Sequence, residues 1–378
     1  MARQKNDRFL SLAMAMMFSF SLNSLTLVVP LMAVKAGYDP AHVGLLVALA
    51  AVTQIGTRLS MGALMRRIPD KIFLMAAAIL IALSCILILF STTLFIFAAA
   101  QLVQGAARAL FWTSGQTHAV RGAATSVSGL RSMNLAAGVG SMAGPALAGL
   151  LWGLSAPLPL IVASVVGFAA VVPAALLTRF PPFARKVAAD SSRTHVRHLP
   201  GVRVACGMNA AAGVWRSILD SYVPIALSLA GQPAAVIGLL LTTANAAMMA
   251  GSAASKWVRG RGIKASFAIG LLCAGLGLAS LSPMASMALA AAAALAVSGL
   301  GAGILQTVGP AIAADEVAAE ERGDALALTG TYRAAALFLA PLGMAGLLLF
   351  IPLTTSLIAA GLLITAPAAV PWRPRRGR

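Results

Sequence analysis

Six charged side chains in this sequence stand where their neighbours are apolar: Arg58, Arg108, Arg131, Arg216, Asp220 and Arg333. An ionisable group is costly in such a stretch and is a functional candidate by default. Asp220 is the only carboxylate of the six, because Asp7, Asp39, Asp70, Asp190, Asp315, Glu316, Glu320, Glu321 and Asp324 fall in expected loops or tails. If the chemistry of this chain runs through a proton on a carboxylate within such a stretch, Asp220 is the single available carrier. Arg216 lies four residues earlier, on the same helix face and within pairing reach, and Asn209 continues that face. If motion of substrate or helix withdraws Arg216, Asp220 becomes free to take a proton. The alternative is a permanent ion pair whose role is to make an interior arginine tolerable.

These residues need apolar elements to position them, and the composition supplies little else. Of 378 residues, 60% are apolar and 10% charged, and the mean hydropathy is +0.90. A soluble domain carries about a quarter charged residues. Unbroken apolar stretches such as Ile72 to Phe90 exclude the alternating pattern of an outer-membrane barrel, so the chain is expected to be an all-α integral membrane protein. Spans are expected near 9–34, 42–65, 71–90, 94–117, 124–152, 157–178, 204–229, 234–255, 264–281, 285–312, 325–350 and 353–370. With the first residues inside, Lys35 is the only loop-borne base on the outer side. That asymmetry predicts both termini in the cytoplasm and explains most of the net charge of +18 without nucleic acid. The run from Phe9 to Val34 is too long for a secretory leader and is read as the first span.

The sequence repeats itself. Val29, Pro30, Ala36, Gly37, Ala41, Gly44, Leu45 and Leu46 return as Val223, Pro224, Ala230, Gly231, Ala235, Gly238, Leu239 and Leu240, at a constant separation of 194 positions. A second echo sets Arg121-Gly122 and Gly129 beside Arg322-Gly323 and Gly330. The expected organisation is a six-span bundle over 1–178, a cytoplasmic linker over 179–203 containing Pro181-Pro182 and Ser191-Ser192, and a second six-span bundle with a basic tail over 204–378. Parallel six-span repeats predict a pseudo-twofold arrangement about a central cavity. In the fifth span, Gly140 and Gly144 are spaced to admit a close neighbouring helix, and Pro145 removes a backbone donor.

Two local patterns resemble those of the major facilitator superfamily. Between the second and third spans, Gly62, Leu64, Arg67 and Lys71 match its Gly-x-Leu-x-Asp-Arg-x-Gly-Arg-Arg/Lys turn, while Arg66 replaces the Asp, Pro69 the second Gly and Asp70 an Arg. In the fifth span, Gly140, Gly144, Pro145 and Gly149 match the Gly-x-x-x-Gly-Pro-x-x-Gly-Gly pattern of its antiporters, with Ala148 for one Gly. The fourth span reads Gln101-Leu102-Val103-Gln104-Gly105 where the family has Arg-x-x-Gln-Gly, and Arg108 follows one turn later. The resemblance covers nearly the whole chain and implies a twelve-helix fold of two pseudo-symmetric bundles that works by alternating access. It implies that spans one, four, seven and ten line the cavity. The polar and aromatic candidates there are Asn23, Gln101, Gln104, Arg108, Trp112, Asn209, Trp215, Tyr222 and Gln306. Arg108 and Arg216 would favour an anionic substrate, whereas an apolar cavity with few polar groups would admit amphipathic compounds. Arg58, Arg131 and Arg333 are expected to reach headgroups or loop carbonyls.

The expected function is secondary transport of small organic molecules, with proton-coupled export suggested by the antiporter pattern. Uptake of an organic anion is the alternative. A membrane enzyme acting on lipid is the weaker reading, because His42, His118, His195 and His198 lie in or beside expected loops and no paired intramembrane carboxylates or nucleophile motif accompany them. His195-x-x-His198 has no third ligand nearby, no Gly-rich phosphate loop is present, and no cofactor or metal is expected. Cys85, Cys206 and Cys273 read as packing residues. The protein is expected to be a monomer in the lipid bilayer of a cytoplasmic (inner) membrane.

Overall fold

The computed structural model describes residues 2–90, 93–122, 126–182, 197–318 and 321–369. Ser191-Ser192 and His195 of the expected linker, and the basic tail beyond 369, lie outside the described residues. Among the described residues there are thirteen helices: α1 Ala2–Lys35, α2 Pro40–Leu64, α3 Asp70–Phe90, α4 Leu94–Gly122, α5 Ser126–Leu154, α6 Leu158–Ala169, α7 Val171–Leu176, α8 Pro200–Leu229, α9 Ala234–Arg259, α10 Ile263–Met284, α11 Ala288–Asp315, α12 Arg322–Leu347 and α13 Leu353–Ala369. The short helices α6 and α7 follow one another through Leu158–Leu176 as a single crossing, which gives the expected twelve. Ten crossings are long and apolar enough to span a membrane. The other two are α13, which is shorter, and α8, which carries Arg216 and Asp220 in mid-helix.

The helix ends follow from local chemistry. At the end of α1, Gly37 has φ 87°, and Tyr38 N–H donates to Ala33 at 3.0 Å while Gly37 N–H donates to Val34 at 3.0 Å. This closes the last turn in a Schellman motif, for which a left-handed glycine is the favoured residue. Gly231, its partner in the repeat, has φ 83° at the end of α8. The next helix starts at Pro40, preceded by Asp39, whose Oδ1 accepts from the His42 backbone N–H at 3.0 Å. That hydrogen bond holds the Asp39 carboxyl below its ordinary pKa. Its contribution is therefore present at neutral pH and is lost as pH falls through the lowered value. Asp39→Ala is expected to cost about 1 kcal/mol as a lost N-cap, read as a lower melting temperature of the purified protein.

Two compact units emerge, Met1–Val187 with Gly231–Thr242, and Ala188–Ala230 with Thr243–Arg378. In the first, the most extensive packing is α1 on α5, followed by α3 on α4, α2 on α4 and α3 on α6. In the second, α8 packs on α12, α10 on α11 and α10 on α13. The two units therefore share three packing pairs: first helix on fifth, third on fourth, third on sixth. Lipid is as apolar as leucine, so small residues and interhelical hydrogen bonds must hold such bundles. Both are present. A Cβ at Gly140 would overlap the Met16 carbonyl, and one at Gly144 would lie 2.6 Å from the Phe20 carbonyl. Across helices, Ser21 donates to Ala163 at 2.8 Å, Thr53 to Leu102 at 2.8 Å and Ser84 to Ala100 at 3.0 Å.

Candidate functional site

In the second unit Arg216 and Asp220 of α8 are built into a network. Arg216 Nε donates to Asp220 Oδ2 at 3.0 Å, along the i, i+4 direction of the helix. The guanidinium NH1 donates to Asn245 Oδ1 on α9 at 2.7 Å. Asp220 and Asn245 are buried and Arg216 is largely so. Removing two charges from water is costly unless their remaining hydrogen-bond capacity is satisfied. Asn245 meets part of that requirement from the neighbouring helix. It also fixes which way the guanidinium faces, so that Arg216 keeps a ligand on α9 independent of Asp220.

A second polar chain joins three other residues of this unit. Arg333 NH1 on α12 donates to Gln306 Oε1 on α11 at 3.1 Å, and Gln306 Nε2 donates to Ser252 Oγ on α9 at 3.3 Å. Arg333, read from the sequence as a gate or anchoring residue, has this bond to a side chain of another helix. Asn209 is buried on α8, with Nδ2 donating to the Ala205 carbonyl at 3.2 Å. Tyr222 is fully buried and its hydroxyl donates to the Pro341 carbonyl at 3.0 Å, so this group ties α8 to α12. Trp215 is 1% exposed and its indole Nε1 has no hydrogen-bond partner among the described residues.

In the first unit the polar residues lie on α1 and α4. Asn23 Nδ2 donates to the Ser19 carbonyl at 2.8 Å and to Ser141 Oγ on α5 at 3.0 Å. Gln101 and Gln104 are buried on α4, and Arg108 is half-buried one turn on. Trp112 meets Phe111 edge to face at 5.1 Å, and Phe111 stacks on Phe18 of α1 at 4.0 Å. The glycines of the fifth span serve packing: Gly140 and Gly144 face α1, while Gly149 and Pro145 face the start of α9 at Ala234 and Gly238. Gly62 and Leu64 at the end of α2 and Arg66 and Arg67 in the turn after it are exposed, and Lys71 Nζ at the start of α3 donates to the Leu177 carbonyl at 3.0 Å.

The reading of loops needs correction at three residues. Asp7, Asp70 and His118 were placed in tails or beside loops, yet they are 6%, 1% and 1% exposed. Asp70 opens α3 and His118 lies in the last turns of α4. Helix ends that meet one another are buried whether or not they adjoin a loop, and single-sequence spacing does not show which ends meet. Asn245 was also missed, although an Asn inside an otherwise apolar span was visible as a polar exception.

Residues 9–341 match the sequence profile of the Major Facilitator Superfamily, and the chain belongs to that family of membrane transporters. Its fold is shared with solved transporters. The nucleoside transporter NupG aligns with a TM-score of 0.78 at 13% identity, over 97% of this chain and 96% of that one. A bacterial homologue of the human lysosomal transporter Spinster, in an inward-facing and unoccupied conformation, aligns at 0.74 and 12%, over 96% and 95%. A POT family transporter in complex with a thioalcohol-conjugated peptide aligns at 0.73 and 11%, over 96% and 94%. Comparison with curated protein sequences gives no match. The twelve-helix fold read from the sequence is the fold of this family, and membership sets transport above lipid chemistry.

Proposed function

We propose that the chain is a proton-coupled exporter of small organic molecules, working by alternating access as a monomer in a cytoplasmic membrane with both termini on the cytoplasmic side. The observation that carries this reading is the Arg216–Asp220–Asn245 network. Asp220 is a buried carboxylate with one cationic partner on its own helix, and that partner has a second ligand on α9. Arg216 can thus remain bound to Asn245 when Asp220 takes a proton, and a change in the spacing of α8 and α9 alters the strength of the ion pair. The antiporter-like glycines of α5 support export. The arginines Arg108 and Arg216 equally suit uptake of an organic anion, which is the second reading.

Reconstituted vesicles test the proposal. Ligands are first found by thermal shift of purified protein against chemically diverse compounds, then tested for uptake into vesicles under an imposed pH gradient. Accumulation toward the acidic side supports proton antiport, accumulation toward the alkaline side supports symport, and movement indifferent to the gradient rejects proton coupling. Trp215 provides a separate test. A buried donor without a partner costs roughly 1–3 kcal/mol, which a ligand acceptor would recover. Trp215→Phe is expected to leave the unliganded melting temperature unchanged or raised and to weaken ligand binding by about tenfold. Unaltered affinity would remove Trp215 from the binding residues.

A further inference from the structure

At one end of the first unit four chain segments converge on His118. Its Nε2 lies 3.2 Å from Asp7 Oδ2 on α1. On the other side of the ring, Nδ1 lies 3.4 Å from Asp70 Oδ2 of α3, without hydrogen-bond alignment. Arg121 NH1 stands 3.6 Å from the same Asp70 oxygen. The stretch following α7 closes the cluster: Thr178 N–H donates to Asp7 Oδ1 at 2.6 Å, and Arg121 NH2 donates to the Pro181 carbonyl at 2.6 Å. The Phe180 ring lies 5.0 Å from the imidazole and 5.1 Å from the Arg121 guanidinium. Of the other bases close to the cluster in sequence, Arg179 is exposed, and Lys71 and Arg8 have acceptors elsewhere. Lys71 Nζ donates to Leu177, and Arg8 donates to Ser132 Oγ on α5 at 2.9 Å.

The charges decide what the ring must carry. Two buried carboxylates flank one imidazole, and Arg121 supplies one positive charge. A neutral imidazole donates from one nitrogen and presents a lone pair from the other. In this cluster that lone pair would face a carboxylate oxygen, with a surplus negative charge kept away from water. An imidazolium donates to Asp7, sets its charge against Asp70 on the other side of the ring, and brings two negative charges into balance with two positive ones. Buried charge is tolerated when it is paired in this way and costly when a single partner is withdrawn.

We propose that His118 is a proton-binding site of the first unit, holding its proton between Asp7 and Asp70, and that the occupied site fastens the start of α1 and the stretch after α7 onto α3 and α4. The ligand is a proton exchanged with water. The site is separate from Asp220 and requires no substrate, so it stands or falls independently of the coupling proposed above. With the proton lost, Asp7 has no cation on its Nε2 side, and the hydrogen bond from Thr178 remains its contact with the stretch after α7.

The chain contains four histidines, few enough for nitrogen-15 labelling of histidine alone and solid-state NMR in lipid bilayers. The His118 resonances are identified by their loss in His118→Gln. At neutral pH both ring nitrogens of His118 are expected to carry hydrogen; a bare nitrogen in the intact protein overturns the proposal. The double variant Asp7→Asn/Asp70→Asn retains the histidine and is expected to convert it to the neutral form, and an imidazolium persisting there would also overturn it. Hydrogen exchange reports the fastening. The Thr178 amide is expected to exchange faster by about tenfold or more in His118→Gln, while Arg8→Gln leaves it unchanged. Equal Thr178 exchange in wild type and His118→Gln rejects the clamp, and if His118→Gln fails to fold, Asp70→Asn alone, which leaves Asp7 and its bond from Thr178 in place, supplies the comparison.

Discussion

Asp220→Asn is expected to abolish accumulation of substrate driven by a pH gradient while leaving exchange of substrate across the same membrane intact. Asn has nearly the shape of Asp and can still accept from Arg216 Nε, now 3.0 Å from the carboxylate, but it cannot take up and release a proton. Asn245 continues to hold the guanidinium at its other nitrogen. Truncating one member of a buried ion pair costs roughly 3–5 kcal/mol because a charge is left alone. Retaining the hydrogen bond reduces that cost, so the Asn variant is preferable to Ala for reading transport. Two accounts of the pair then separate cleanly. If Asp220 only neutralises Arg216, the double variant Arg216→Gln/Asp220→Asn has no lone charge and should recover accumulation. If Asp220 carries the proton, the double variant folds as well as the wild type and still fails to accumulate. Undiminished accumulation by Asp220→Asn alone would reject the assignment outright.

What the sequence made legible was whatever one helix or one repeat contains. The i, i+4 spacing of Arg216 and Asp220 announces their contact. The 194-position repeat announces that Gly37 and Gly231 end equivalent helices, and both adopt positive φ. What it hid were meetings between distant segments. Asn245 lies on a different helix from Arg216, and nothing local ties the two. Arg333 looked like a residue at a helix end, yet Gln306 on another helix takes its guanidinium. Asp7, Asp70 and His118 are individually ordinary residues near helix ends, and only the assembly of α1, α3, α4 and the stretch after α7 makes them one buried cluster. Polar groups near span ends read as solvated by default, because spacing reports the helix face and not what covers it.

The largest effect on folding is expected at the α1–α5 contact. Gly144→Ala places a Cβ about 2.6 Å from the Phe20 carbonyl and 2.9 Å from the Ser24 amide nitrogen, and Gly140→Ala meets the Met16 carbonyl and the Phe20 amide. These are backbone atoms within helices and cannot rotate aside as a flexible side chain would. The helices must therefore separate, and the hydrogen bonds that depend on their approach weaken together: Asn23 to Ser141 at 3.0 Å and Ser24 to the Gly144 carbonyl at 3.3 Å. Overpacking a close-fitted contact costs about 1–3 kcal/mol per site, and in lipid no gain in apolar burial compensates for lost contact between helices. Each single variant should lower the melting temperature, and the Gly140→Ala/Gly144→Ala pair should yield little monodisperse protein. Gly153 lies on the same helix, and a Cβ there would meet nothing within 4 Å among the described residues, so Gly153→Ala should melt with the wild type. Because Ala favours a helix over Gly, equal losses at all three glycines would mean that contacts along the whole of α5, and not the approach of α1 alone, set the stability of this unit.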